Sequence, residues 1–177
     1  GGEPGRLRAP HVEAGMLPAM SAVITETPEA VLNTNDSARF ECRPTLLKNV
    51  NRGKCVFTTK IPQGKVSLIP SAHAEGKLMF PMDDSDRIVR ELEENDQIVF
   101  KYVDPEGNPA KYPWCPNGAT ENIAGICNRD GNVFGLMPHP ERVFFKYTHP
   151  DWTRSPDGPG DGRAVFESVL EHVTRKL

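Results

Sequence analysis

The hydrophobic positions of this chain come in short bursts separated by proline, glycine and asparagine, and few bursts are long enough for a helix. C-V-F-T-T, 55–59, and K-V-S-L-I-P, 65–70, are runs of β-formers, the second closed by a proline. A-R-F-E-C-R, 38–43, alternates in part, and Q-I-V-F-K-Y-V, 97–103, reads as another strand. I-A-G-I-C, 123–127, and N-V-F-G-L-M, 132–137, flank R-D-G and predict a hairpin. P-E-G-N-P, 105–109, is a turn by composition.

Two segments carry helical periodicity. Ile88, Val89 and Leu92 give residues 86–94 an apolar side. Near the end, G-D-G-R-A-V-F-E-S-V-L-E-H-V-T-R-K-L places Val165, Phe166, Val169, Leu170 and Val173 on one stripe. Asp161 is the expected N-cap of that helix, and Arg175 and Lys176 suit its C-terminal end. Residues 11–20 hold a short helical turn around Val12, Ala14 and Met16, and residues 21–37 read as loop. A parallel sheet needs crossovers of about a dozen residues or more. Only 81–96 supplies one, so the pattern predicts either a mostly antiparallel domain or a sheet lacking some strands.

Composition narrows the class without choosing a function. The 177 residues, 25% charged and 37% hydrophobic, suit one ordinary domain. A net charge of -3 gives no general pull toward nucleic acid or an anionic membrane. No apolar stretch approaches the ~18 residues of a membrane helix. The glycine- and arginine-rich start, 1–11, reads as a loose arm without a secretory signal. Cys42, Cys55, Cys115 and Cys127 form no C-x-x-C pair and are expected as free thiols in a reducing compartment.

Three segments carry candidate chemistry. In G-L-M-P-H-P-E-R-V, 135–143, the prolines favour an extended chain, which would turn His139 and Glu141 to one side. A carboxylate beside a histidine fixes its tautomer and stabilises the charged ring. A solvent-facing turn accounts for the same spacing, and Arg142 is by default a surface residue. In I-P-S-A-H-A-E-G-K, 69–77, His73 and Glu75 repeat that spacing, and Gly76 permits close backbone approach to a ligand. In K-Y-P-W-C-P-N-G-A-T, 111–120, Asn117 and Gly118 make a turn, and Trp114 fits either a partner contact or a small core. A metal on His73, His139 and a carboxylate has no H-E-x-x-H or paired-cysteine pattern behind it and is not expected.

Taken in order, A-R-F-E-C-R, I-P-S-A-H-A-E-G-K, Y-P-W-C-P-N-G and I-A-G-I-C-N-R-D-G-N-V-F-G-L-M-P-H-P-E-R resemble the class I glutamine amidotransferases. The resemblance is to the glutaminase subunits of phosphoribosylformylglycinamidine synthase and covers roughly residues 12–175. It implies an α/β fold, a mostly parallel sheet with flanking helices. It also implies a cysteine nucleophile acting on L-glutamine, with His139 as base and Glu141 behind it. His73, Glu75 and Gly76 would line the glutamine cleft; Ala74 departs from the family's glycine. The implied partners are a large synthetase subunit, to which ATP and Mg would belong, and a small accessory subunit, in the cytoplasm and in purine synthesis. No cofactor is expected in this chain.

The resemblance fails at the start. The family carries Gly-x-Cys-Asn-Gly-Phe-Gln just before the equivalent of Val12, and by register Gly5 stands at the cysteine's place. The expectation is therefore a domain over 12–177 with its first strands missing or altered, unable to hydrolyse glutamine as it stands. The rival expectation is a non-catalytic subunit that binds the synthetase.

Overall fold

A computed structural model describes residues 17–20, 28–154 and 157–175. The arm over 1–11 and most of the expected turn over 11–20 lie outside them. Among the described residues, seven strands and two α-helices follow in chain order: β1 (Val31–Asn33), β2 (Glu41–Asn49), β3 (Val66–His73), β4 (Lys77–Met79), α1 (Ser85–Glu94), β5 (Ile98–Val103), β6 (Ile123–Cys127), β7 (Phe134–Leu136) and α2 (Arg163–Thr174). Five strands form one sheet in the order β3-β2-β5-β6-β7, and β1 pairs with β4.

The domain is mixed α/β, as the resemblance implies, but the expected mostly parallel sheet is not what these residues build. Every strand pairing among the described residues is antiparallel. The reason is connectivity. The helix α1 leads from the two-stranded sheet into β5, so no described strand–helix–strand unit returns parallel within one sheet.

The two faces of the large sheet carry separate cores. On one, Leu47, Ile69, Phe100 and Tyr102 pack with Val143 and Val165. On the other, Ile98, Ile123 and Ile126 pack with Ile88, Val89 and Leu92 of α1. The run in β5 is buried almost throughout because the register shifts between Ile98 and Phe100. That irregularity lets Ile98 serve one core while Val99 and Phe100 both serve the other.

Several strand expectations shift. C-V-F-T-T forms no strand: Val56–Thr58 is a short 3-10 turn. Asn51 explains it, because its Oδ1 accepts the N–H groups of Gly53 and Cys55 and curls the chain. Pro70 does not end β3, which runs on to His73. Pro70 faces Pro44 in register, and each tolerates its missing N–H because the outward side carries no strand there. Pairing of β2 with β5 begins only at Leu46.

The last helix differs most from expectation. Its buried line is Val165 and Ser168, while Phe166, Leu170 and Val173 are exposed. Ser168 belongs inside because its Oγ accepts the Lys60 N–H at 3.0 Å and donates to Ala164 O at 2.7 Å. Asp161 is not the cap; Gly162 is. The Asp161 carboxylate instead accepts the Leu68 N–H at 2.7 Å, closing part of the free edge of β3.

Removing that acceptor should loosen the edge. Asp161→Ala is expected to lower unfolding free energy by about 1.5–3 kcal/mol, the range for a hydrogen bond to a charged group. Urea denaturation checks this, with faster hydrogen exchange at Leu68 as the local sign.

Candidate active site

The free edge of β3 holds the His-Pro-Glu segment. The His139 N–H donates to Pro70 O at 2.8 Å, and the Met137 N–H donates to Ala124 O at 3.0 Å. His139 itself is extended, but Pro140–Val143 then winds into a 3-10 turn with proline in its first position. The chain ahead of the last helix presses on this turn. Gly162 donates to Val143 O at 3.0 Å, and a side chain there would collide with Pro140 O, so the position requires glycine.

His139 and Glu141 do meet, with Nδ1 and Oε1 2.7 Å apart. The expected reason was wrong. The tight turn, rather than extended alternation, brings the carboxylate back to the ring. With Nδ1–H donating to Glu141, the free nitrogen is Nε2, the atom a proton carrier uses. The ring is half-buried and Glu141 is exposed. Arg142 stays outside, 3.9 Å from Glu141.

His73 is placed differently. It is 7% exposed, at the end of β3, with Nδ1 3.1 Å from Asn35 Oδ1. Asn35 Oδ1 also accepts the Gly76 N–H, and Asn35 Nδ2 donates to the carbonyls of His73 and Arg39. Because that oxygen can only accept, His73 Nδ1 carries the hydrogen and Nε2 bears the lone pair. The Nε2 atom is buried without a hydrogen-bond partner among the described residues. Burial holds the His73 pKa below its ordinary value against the opposing pull of its own backbone; the nearby His139 adds to the lowering and Glu41 opposes it slightly.

The third expected segment joins the second. Asn117 Nδ2 donates to Gly76 O at 2.7 Å and to Tyr102 Oη at 3.2 Å, while its Oδ1 accepts the Ala119 N–H. The expected loop over 21–37 thus contributes a hub at Asn35 and a short strand, β1. Gly76 is compelled by geometry, since a Cβ there would stand 2.5 Å from the His73 ring. Glu75 is half-buried and makes no hydrogen bond among the described residues. Trp114 packs partly against the main core, which decides for its core reading.

Two site neighbours carried no signal in the sequence. Glu41 lies opposite His73 in register and is 5% exposed. Its carboxylate pairs with Arg43 at 2.7 Å, and Arg43 stacks over Tyr112. Only strand pairing reveals them.

None of the four cysteines is hydrogen-bonded to His139. Cys55 and Cys127 are fully buried beside each other in the main core. Burial pushes the Cys115 thiol up, away from the thiolate form. Cys42 is exposed on the opposite side of β2 from Glu41. Among the described residues no group of three metal-ligating side chains gathers.

Two outcomes follow for the buried histidine. Gly76→Ala should cost about 1–3 kcal/mol of stability by overpacking the ring, readable as a lower melting temperature together with a displaced His73 resonance. A histidine whose folded pKa is lowered stabilises fully above its unfolded value, near 6.5, and loses that contribution as pH falls toward the lowered folded pKa. Denaturation at stepped pH should therefore show stability declining below 6.5 in the wild-type chain, and a shallower decline in His73→Asn.

Comparison with known proteins adds lineage to this geometry. A CobB/CobQ-like glutamine amidotransferase domain matches residues 12–173. The phosphoribosylformylglycinamidine synthase subunit PurQ of Archaeoglobus fulgidus is 49% identical over 166 residues, which cover 93% of this chain and 59% of that protein. Its counterpart in Methanothrix thermoacetophila is 37% identical over 171 residues, 93% of this chain and 64% of that protein. A solved structure, that of PurLQS from Thermotoga maritima, superposes with a TM-score of 0.59 at 31% identity, over 81% of this chain and 53% of that one. The chain spans 53–64% of the length of these three proteins.

Proposed function

The chain belongs to the CobB/CobQ-like glutamine amidotransferase family, and from that premise we propose that it carries the acid–base half of a glutaminase subunit. That subunit would release ammonia from L-glutamine for the conversion of formylglycinamide ribonucleotide to formylglycinamidine ribonucleotide. The observation that carries this reading is the 2.7 Å contact between His139 Nδ1 and Glu141 Oε1, which leaves Nε2 free. A cysteine thiol facing Nε2 would pass its proton to His139 and attack the amide carbon. The imidazolium, stabilised by Glu141, would return that proton to the departing nitrogen.

His73, Glu75 and Gly76 are proposed to line the glutamine cleft. Their support is the shared scaffold of Asn35 and Asn117, which ties A-H-A-E-G to the edge that holds His139. The ammonia would pass to a large synthetase subunit, where ATP and Mg would act, in an assembly with a small accessory subunit in the cytoplasm. The names of the relatives and of the solved PurLQS assembly support that partnership.

A second reading rests on the cysteines. With none of them bonded to His139, the chain fits a non-catalytic subunit that binds the synthetase. The two readings part experimentally. The 177-residue chain alone should hydrolyse no glutamine and take up no thiol-reactive glutamine analogue at His139's side by intact mass. Joined to a segment carrying the family's Gly-x-Cys-Asn-Gly-Phe-Gln motif, a folded chimera should release ammonia, and His139→Ala should reduce that rate by about 10²–10⁴-fold. A folded chimera that binds the synthetase but stays inert would decide for the non-catalytic reading.

A further inference from the structure

The last helix turns its regular apolar stripe the wrong way for a core. Val165 and Ser168 of α2 face inward, and Phe166, Leu170 and Val173 are left exposed. Phe145 and Tyr147, just past the His139–Glu141 turn, are exposed too. These five are half of the ten large apolar side chains exposed among the described residues, so the exposure is concentrated rather than scattered.

Printed ring by ring, the five form one surface. Phe166 meets Phe144 edge-on with ring centres 5.5 Å apart, and Phe144 meets Phe145 edge-on at 4.8 Å. Phe145 stacks on Tyr147 at 5.1 Å, with 9° between the ring planes. Leu170 and Val173 carry the line onward from Phe166 along one side of α2.

The backbone beneath the rings is fixed. The Gly160 N–H donates to Phe144 O at 3.1 Å, the Thr148 N–H donates to Phe145 O at 3.1 Å, and Phe145 pairs with Pro159 in a β-bridge. Gly160 is compelled, since a Cβ there would stand 2.0 Å from Val143 O. A surface held this way gives up little freedom when something settles on it. Aromatic side chains beside arginine are the composition of anchoring contacts between proteins.

Charge around the rings selects what settles there. Residues 142–150 contain Arg142 and Lys146 and no acid. Lys146 makes no ion pair among the described residues. Arg142 lies 3.9 Å from Glu141, whose carboxylate is already engaged by His139 at 2.7 Å. Arg163, over the Phe144 ring, is neutralised by Glu167 at 2.7 Å. The rim therefore carries surplus positive charge and fits an acidic rim on the other side. A closed pair of two copies would set this rim against itself, cation toward cation.

We propose that the surface of Phe145, Tyr147, Phe166 and Leu170 is the face on which the large synthetase subunit docks, through an apolar centre ringed by acidic side chains. This inference rests on the glutaminase reading, which supplies that partner; the location and the chemistry of the contact are what it adds. Phe144 directly follows Val143, the last residue of the His–Glu turn, so a partner seated here lies beside His139.

The test is sedimentation velocity and interferometric binding of the full 177-residue chain to the purified large synthetase subunit of the same organism. Phe145→Asp and Leu170→Asp should each weaken binding by about 30-fold, the loss expected at an anchoring apolar side chain. Lys146→Glu should weaken it and flatten its dependence on salt. Met82→Asp, at an exposed apolar position on the α1 side of the sheet, should leave it unchanged. Circular dichroism establishes that each variant is folded, and Leu170→Asp decides the matter if Phe145→Asp does not fold. Wild-type affinity in the folded Leu170→Asp and Lys146→Glu chains overturns the proposal, and so does a wild-type chain that binds no synthetase. Self-association of the wild-type chain that Leu170→Asp abolishes while synthetase binding stays intact gives the surface to a second copy instead. An inert chimera whose docking still needs Leu170 sinks the catalytic reading and leaves the docking face, whereas an active chimera that docks without it does the reverse.

Discussion

The free edge of β3 is the constraint on which the rest of this structure depends. An unpaired strand edge exposes peptide groups that must find partners. Here the partners are the elements that build the candidate site. Pro70 offers a carbonyl and no N–H, and His139 takes that carbonyl. Two residues earlier, Leu68 offers its N–H to Asp161, just ahead of α2. The histidine segment and the last helix are therefore fastened to the same edge. Gly162 lets the two fasteners touch, because its missing side chain leaves room for the Pro140 carbonyl.

Behind that edge the interior is unusually polar, and two asparagines organise it. Asn35 and Asn117 each satisfy backbone groups of the turn after β3 from opposite directions. Thr45, Ser71 and Tyr102 continue the polar region into the sheet. Burying a histidine in such a place destabilises its charged form and so costs stability in acid. Asn35 fixes the tautomer of that histidine. A core built for stability alone would replace such a group with apolar ones.

The local pattern was a good guide wherever a segment's own neighbours in sequence decide its shape. The helix at Ser85–Glu94, the strand at Ile98–Val103 and the hairpin between β6 and β7 form as the periodicity and turn residues require. It misled where a partner distant in sequence intervenes. C-V-F-T-T has strand-forming residues but yields to the side chain of Asn51. The stripe of Phe166, Leu170 and Val173 is regular, yet the helix turns Val165 and Ser168 inward because Lys60 offers an N–H to Ser168. The mostly parallel sheet was implied by resemblance, and the described strands pair antiparallel because of how they are joined.

By itself the sequence marked His139 and Glu141 as a candidate pair and Gly76 as a point of close backbone approach. Each of these follows from residue type and short spacing, which the chain carries wherever it folds. Only the tertiary structure decided that a 3-10 turn makes the histidine–glutamate contact, that Asn35 fixes the tautomer of His73, and that Glu41 and Arg43 belong to the site. Apart from the turn itself, those contacts join residues about thirty or more positions apart, or depend on strand register. Register is set by which faces are buried and how the strands connect, and no single segment encodes it.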